Sequence, residues 1–279
     1  MSKESVVYLL HKYKLRPDET RGQHFLIDES VLKKILAAAD CKTSDVALEV
    51  GPGIGNLTAL LAQSCKKVVA VEVDRRYKPV LDALCAVNTN VTVLYHDILT
   101  LSFEELAKAF GEITEYKIVA NIPYYLTSRL LAQFIQYPVL PQVIVVLVQN
   151  EVADRIVEGP GNHSKLSLSI QFYGEPKVVF QVPRDLFYPK PVVDSAVVQI
   201  KNLHHWSYPE SEQRVWQLIN FGFSAKRKKL VNNLAAGLQV DRETIVRRMG
   251  EAGIDPSKRA QMLSAGDWRS LARVFLNAR

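Results

Sequence analysis

Short apolar, β-branched runs recur along the first two hundred residues, separated by segments long enough to hold a helix. Residues 46–50, 67–72, 91–97, 117–120 and 143–148 each read as a strand buried in a sheet. The first run enters Gly51-Pro52-Gly53-Ile54-Gly55 and then a helical pattern through 56–62, a strand, glycine turn and helix in succession. Residues 177–182 and 192–200 alternate as an antiparallel pair and bring the strand count to seven. Beyond residue 203 helical patterns take over, at roughly 210–222, 225–236, 241–249 and 267–277, punctuated by Pro256 and Gly266. The pattern predicts an α/β fold with a mostly parallel, Rossmann-like sheet of seven strands, followed by a smaller all-helical domain. The boundary is expected near Leu203 to Pro209, giving domains 1–203 and 204–279, with a helical N-terminal segment over 1–40. Within that segment Val6, Val7, Leu9 and Leu10, followed by His11, Lys12 and Lys14, read as a short amphipathic helix.

Composition narrows the class. With 279 residues, 48% of them apolar, the chain can bury a substantial core. The longest apolar run, 143–148, falls far short of the ~20 residues a membrane span needs. Met1 to Glu4 opens with mixed charge and lacks a signal-peptide core, so a cytoplasmic protein is expected. Cys41, Cys65 and Cys85 have neither C-x-x-C pairing nor metal spacing and read as small buried residues in a reducing compartment. The pair His204-His205 lacks a nearby Cys or acidic partner, so a linker position is expected and no metal.

Charge is divided unevenly. The whole chain carries +6, yet residues 201–279 hold 14 Lys+Arg against 7 Asp+Glu, leaving 21 and 22 for residues 1–200. A basic helical tail beside a near-neutral domain is the footprint of a polyanion-binding module. Its densest cluster, Lys226-Arg227-Lys228-Lys229, is expected on a helix running to about Ala236. Lys12, Lys14, Arg16 and Arg21 form a second basic stripe.

Four chemical signals fall where the expected strands end. The glycine turn lets backbone approach a nucleotide-like ligand closely, although a lone turn of this kind is weak evidence. Glu72 closes the second strand, where a ribose diol would be hydrogen-bonded. Asp97 closes the third, where a carboxylate accepts from an adenine amine while Ile98 packs on the ring. The fourth strand delivers Asn121-Ile122-Pro123-Tyr124-Tyr125. There the Asn amide oxygen and a neighbouring carbonyl both accept from an exocyclic amine, Pro123 adds no competing N–H, and Tyr124 offers a stacking face. Any one strand-end acid is more often a cap or a solvated loop residue. Glu72 and Asp97 at successive strand ends after a glycine turn make coincidence a poor account.

This order of elements resembles the S-adenosylmethionine-dependent methyltransferases of class I. The tetrapeptide Asn121-Ile122-Pro123-Tyr124 is similar to that of the ribosomal RNA adenine dimethyltransferases. So are Gly22-Gln23-His24-Phe25-Leu26, residues 187–195 from Phe187 to Ser195, and residues 223–234 from Phe223 to Leu234; together the likeness covers residues 22 to about 275. The last block, with Gly253-Ile254-Asp255-Pro256 and Arg259, resembles the KsgA-type enzymes of small-subunit rRNA more than their antibiotic-resistance relatives that modify large-subunit rRNA. Arg21 departs from the apolar or aromatic residue expected before Gly22.

The resemblance implies S-adenosylmethionine as cofactor, with His24 and Leu26 lining its site. Gly51 and Gly53 would approach the methionine part, Glu72 the ribose, and Asp97 with Ile98 the adenine. It implies that Asn121 serves both cofactor and target amine, that Pro123 lends its carbonyl, that Tyr124 stacks on the target base, and that Phe187 closes the other side; the alternative for Phe187 is a core aromatic. The implied substrate is a pair of adjacent adenines in a hairpin loop near the 3′ end of small-subunit rRNA, each dimethylated at N6 during subunit biogenesis. Lys226, Arg227, Lys228 and Lys229 would bind the RNA, and a monomer is the default. Three rivals stand beside this reading: a large-subunit rRNA methyltransferase of the resistance type; an RNA-binding assembly or transcription factor on the same fold; and, ranked last, a methyltransferase of protein glutamine or DNA adenine.

Overall fold

The computed structural model describes residues 2–111, 115–123, 126–159 and 161–276. Nine strands are present among them: β1 (Phe25–Leu26), β2 (Val46–Val50), β3 (Lys67–Val71), β4 (Val91–Leu94), β5 (Lys117–Asn121), β6 (Ile144–Gln149), β7 (Glu175–Val182), β8 (Phe187–Tyr188) and β9 (Ser195–Lys201). The helices are α1 (Lys3–Lys12), α2 (Glu29–Ala39), α3 (Asn56–Ser64), α4 (Lys78–Val87), α5 (Phe103–Phe110), α6 (Thr127–Phe134), α7 (Asn150–Val157), α8 (Lys165–Gln171), α9 (Glu212–Gly222), α10 (Leu230–Leu238), α11 (Arg242–Glu251) and α12 (Ala265–Leu276).

Seven strands form one sheet in the order β4-β3-β2-β5-β6-β9-β7. β4, β3, β2, β5 and β6 run parallel, and β9 and β7 close the sheet in antiparallel pairing. All five residues of β2 and the first six of β9 are buried, as strands covered on both faces require. β7 lies at the edge and alternates exposed with half-buried residues. The order turns back between β2 and β5, so the carboxyl ends of those two strands flank the crevice where open α/β sheets bind ligands.

Helices packed on the sheet support that crevice. Leu32 and Ile35 of α2 and Leu57 and Leu61 of α3 join Ala47, Val68, Val119 and Val145 of the sheet in one buried cluster. At the opposite, amino edge, the buried ammonium of Lys117 pairs with Asp45 at 2.8 Å and donates to the Asp40 carbonyl at 2.6 Å. That pairing satisfies a charge that would otherwise be costly to bury. α1 buries Val6 and Leu10, one helical turn apart, against a cluster that includes Phe25 and Tyr77.

The chain divides into two compact units. The first takes residues 1–154 and 174–203, the second residues 155–173 and 204–279. The first unit ends at Leu203 and the second resumes at His204. Residues 155–173, which the sequence placed in the first domain, group instead with the C-terminal helices: His163 N–H donates to the Gln261 carbonyl at 3.0 Å, and Lys165 Nζ to Asn220 at 2.7 Å. Within the second unit the buried carboxylate of Glu210 pairs with Arg269 at 2.9 Å and with Arg273. The Lys226–Lys229 cluster also differs from expectation. All four residues are exposed in the turn between α9 and α10, and α10 begins only at Leu230. Among the described residues no helix is long and apolar enough to cross a membrane.

Candidate active site

A cavity of about 240 Å³ opens at the carboxyl edge of β2, β3 and β5, and its walls lie wholly within the first unit. The glycine turn forms one side. Gly51 and Gly53 have φ of +70° and +55°, a left-handed conformation that side chains rarely adopt. A Cβ on Gly53 would stand 2.8 Å from the Phe25 ring, and one on Gly51 3.6 Å from Cδ of Pro123. The turn therefore lies directly beside the Asn121–Pro123 segment.

Glu72 locks the turn in place. Its carboxylate accepts the Gly53 N–H at 3.0 Å and the Asp74 N–H at 2.8 Å, and only 5% of the residue is exposed. Burial holds the carboxyl above its ordinary range, and the two backbone donors offset that rise only in part. Each oxygen keeps a lone pair for a further donor. Glu49, in the middle of β2, is the residue sequence reasoning missed. It lines the same cavity at 2% exposure, and its Oε2 has no hydrogen-bond partner. Burial pushes its pKa up to about 8, with the charge on Glu72 adding to the rise and Thr58 opposing it. A single acid inside an otherwise apolar strand was the available signal.

Asp97 lies three residues beyond β4, not at its end. It is exposed on the cavity wall, and its carboxylate accepts the Leu99 N–H at 2.9 Å, which holds the turn; Ile98 beside it is buried. Asn121 ends β5, and its Nδ2 donates to the His24 carbonyl at 3.2 Å. One amide hydrogen is thereby engaged, and among the described residues nothing donates to the amide oxygen, which can accept an incoming N–H. Pro123 completes this wall. Tyr124 lies outside the described residues.

The Gly22–Leu26 segment is held from several directions. His24 Nδ1 bonds the Pro189 carbonyl at 2.8 Å, and β1 pairs antiparallel with β8, Phe25 opposite Tyr188 and Leu26 opposite Phe187. Leu26 lines the cavity, and its carbonyl accepts from Asn56 Nδ2 at 2.9 Å. Gln23 is a hub that sequence reasoning noted only as part of a motif. It accepts from the Tyr77 hydroxyl at 2.7 Å and the Asp18 N–H at 2.8 Å, and donates to Asp74 at 3.1 Å. Arg76, bonded to the same Asp74, holds that carboxyl down at about 2.

Phe187 is placed differently from its implied role. It is 3% exposed, packs in the apolar cluster with Leu26 and Val182, and is absent from the cavity wall. The core-aromatic alternative is the one its packing matches.

The donor set fits S-adenosylmethionine. An orphaned buried carboxylate oxygen on Glu49, two further acids on Glu72 and Asp97, and apolar walls from Leu26, Ile54 and Ile98 suit a ligand with a cationic sulfonium, an amine, a diol and a flat heterocycle.

Sheet order and cavity together define a class I methyltransferase. The family model described as ribosomal RNA adenine dimethylase matches residues 16–276. A ribosomal RNA small subunit methyltransferase A of Dehalococcoides mccartyi is 43% identical over 269 residues, covering 96% of this chain and 91% of the relative. The protein of the same name in Pelotomaculum thermopropionicum is 40% identical over 280 residues, covering 97% and 95%. Among solved structures, a dimethyladenosine transferase from Plasmodium falciparum superposes with a TM-score of 0.75 at 25% identity, covering 90% of this chain and 97% of that one. The 23S rRNA methyltransferase ErmE superposes with a TM-score of 0.71 at 23% identity, covering 90% and 98%, a likeness of fold. The chain belongs to the ribosomal RNA adenine dimethylase family, and it is an S-adenosylmethionine-dependent rRNA adenine methyltransferase.

Proposed function

We propose that this enzyme dimethylates N6 of two adjacent adenines in the 3′-terminal hairpin loop of small-subunit rRNA, in the cytoplasm and as part of subunit biogenesis. Identity of 40–43% over nearly the whole chain with small-subunit enzymes carries the choice of subunit. The large-subunit relative shares the fold at 23% identity. Residues 1–154 and 174–203 act as the catalytic unit and the second unit, with its basic tail, as the rRNA-holding one, with Lys226, Arg227, Lys228 and Lys229 exposed for phosphate contact.

Bound S-adenosylmethionine supplies an electrophilic methyl group on a sulfonium. Glu72 takes the ribose hydroxyls on the lone pairs its backbone donors leave open, Asp97 takes the adenine amine, and Ile98 packs on the ring. Gly51 and Gly53 bring backbone close to the methionine part, with His24 and Leu26 closing that side. Glu49 adds a buried acceptor for a cationic N–H.

The target adenine has to be unpaired or flipped out to reach the cavity. Asn121 accepts one amine hydrogen on its amide oxygen and the Pro123 carbonyl accepts the other, turning the nitrogen lone pair towards the methyl group, while Tyr124 stacks on the ring. Asn121 is no base at neutral pH. The amine becomes acidic once methylated and its proton leaves to water, so the protein contributes position and electrostatics rather than a covalent step.

The test is methyl transfer from labelled S-adenosylmethionine to small subunits lacking the modification, beside protein-free large-subunit rRNA, with Asn121→Ala as control. Label in the small-subunit RNA that vanishes in the control supports the reading. Label in large-subunit RNA alone overturns the choice of subunit, and RNA binding with no transfer to either overturns the catalytic assignment.

A further inference from the structure

The first turn of α6 holds a cation where helix electrostatics disfavour one. Arg129 is the third residue of that helix, beside the end at which unpaired backbone N–H groups concentrate positive charge. No acid shares its turn. Among the described residues no hydrogen bond or ion pair engages its guanidinium. The other arginine of the cavity wall, Arg21, differs in this respect, because Asp18 pairs with it at 3.3 Å.

Arg129 is exposed, and it lines the cavity together with Asp97, Asn121 and Pro123. Its direction follows from Gln133, one turn further on, whose Nε2 donates to the Ile98 carbonyl at 2.9 Å. Residues four apart share a helix face, so Arg129 lies on the side of α6 turned to the 97–99 turn. It also follows Pro123 by six residues in the chain. Guanidinium and helix N-terminus thus add their positive charge at one place on the rim, next to the segment that grips the target amine.

We propose that Arg129 binds a phosphodiester of the RNA strand adjacent to the target adenosine. This rests on the rRNA-methylation reading above. An adenosine inserted at Pro123 brings a phosphate on each side, and a guanidinium donates two parallel N–H bonds to such an oxyanion. The methyl donor carries one anionic group, its carboxylate. That end is expected at the Gly51 turn, whose following residues Pro52 to Gly55 are buried, whereas Arg129 stands exposed where a ligand arriving from solvent meets the wall. Held by Arg129, the strand is fixed beside the base and the amine stays in register with Asn121.

The experiment measures binding of a 3′-terminal small-subunit rRNA hairpin to full-length wild type, Arg129→Gln and Arg129→Lys across a salt series, with S-adenosylmethionine affinity measured in parallel and thermal melting confirming the fold. A single-strand phosphate contact accounts for a slope of about 0.7 in log K against log salt. Arg129→Gln should weaken the RNA about five- to tenfold at low salt and reduce the slope by about that amount. Arg129→Lys should restore the slope, and S-adenosylmethionine affinity should be unchanged in both. An unchanged salt slope in Arg129→Gln overturns the proposal, as does a loss confined to S-adenosylmethionine affinity, which would assign Arg129 to the donor's carboxylate. Failure of the methylation reading appears separately, as wild-type protein that binds the hairpin and transfers no methyl group to small subunits lacking the modification.

Discussion

The carboxylate of Glu72 accepts the backbone N–H of Gly53 across 3.0 Å, tying the end of β3 to the glycine turn that follows β2. One side chain thereby bridges two neighbouring strand ends and presents acceptors into the cavity. Glu72→Ala should leave the N–H groups of Gly53 and Asp74 without their partner. Stability should fall by about 1–3 kcal/mol for each buried donor so orphaned, and S-adenosylmethionine affinity by more than tenfold. Calorimetric titration with thermal melting checks both. Unchanged affinity would remove Glu72 from the cofactor site.

Glu49 makes the free protein sensitive to pH. Its carboxyl titrates near 8 in the folded chain, against an ordinary value of 4.5, because it is buried without a partner for Oε2. Between those two values the folded state binds the extra proton. Stability of the cofactor-free protein should therefore fall as pH rises from about 5 to 8, by at most about 1.4 kcal/mol per pH unit from this group. Glu49→Gln should flatten that slope. A cationic ligand favours the ionised form, so S-adenosylmethionine affinity should rise over the same window in wild type and lose that rise in the variant. Urea melts and titrations at pH 6, 7 and 8 read both effects.

Asn121→Ala should lower the rate of methyl transfer by roughly 10²–10³, the scale of removing one preorganised polar contact at a reacting centre. S-adenosylmethionine affinity should change by no more than a few-fold, since Glu49, Glu72 and Asp97 remain. Equal losses of affinity and rate would make Asn121 a cofactor ligand alone.

Phe187→Ala separates packing from stacking. A ring 3% exposed in an apolar cluster should cost about 3–5 kcal/mol when truncated. A ring whose role is to cover the target base would leave the melting temperature nearly unchanged and depress transfer.

The parts of this architecture that were legible in the sequence rest on local chemistry. β2, β3 and β5 are short β-branched runs, and the glycine turn and Glu72 follow directly after two of them. What the sequence hid depends on contacts between distant segments. Residues 155–173 carry no local mark of the company they keep; the bond from His163 to Gln261 decides it. Glu49 read as part of an apolar strand, because its significance comes from which way the pleat turns it. Lys226 to Lys229 read as helix because Lys and Arg favour one, yet α10 starts after them at Leu230, whose own N–H donates to the Lys258 carbonyl at 2.9 Å. Phe187 lies in a motif whose implied use was at the site, and its packing with Leu26 and Val182, distant in the chain, buries it.

The most direct test of the central claim is mass mapping of small-subunit rRNA after reaction with S-adenosylmethionine. Two adjacent N6-dimethyladenosines in the 3′-terminal hairpin, both lost with Asn121→Ala, are the expected result. Methyl groups on another base type, or adenine methylation confined to large-subunit rRNA, would contradict the account.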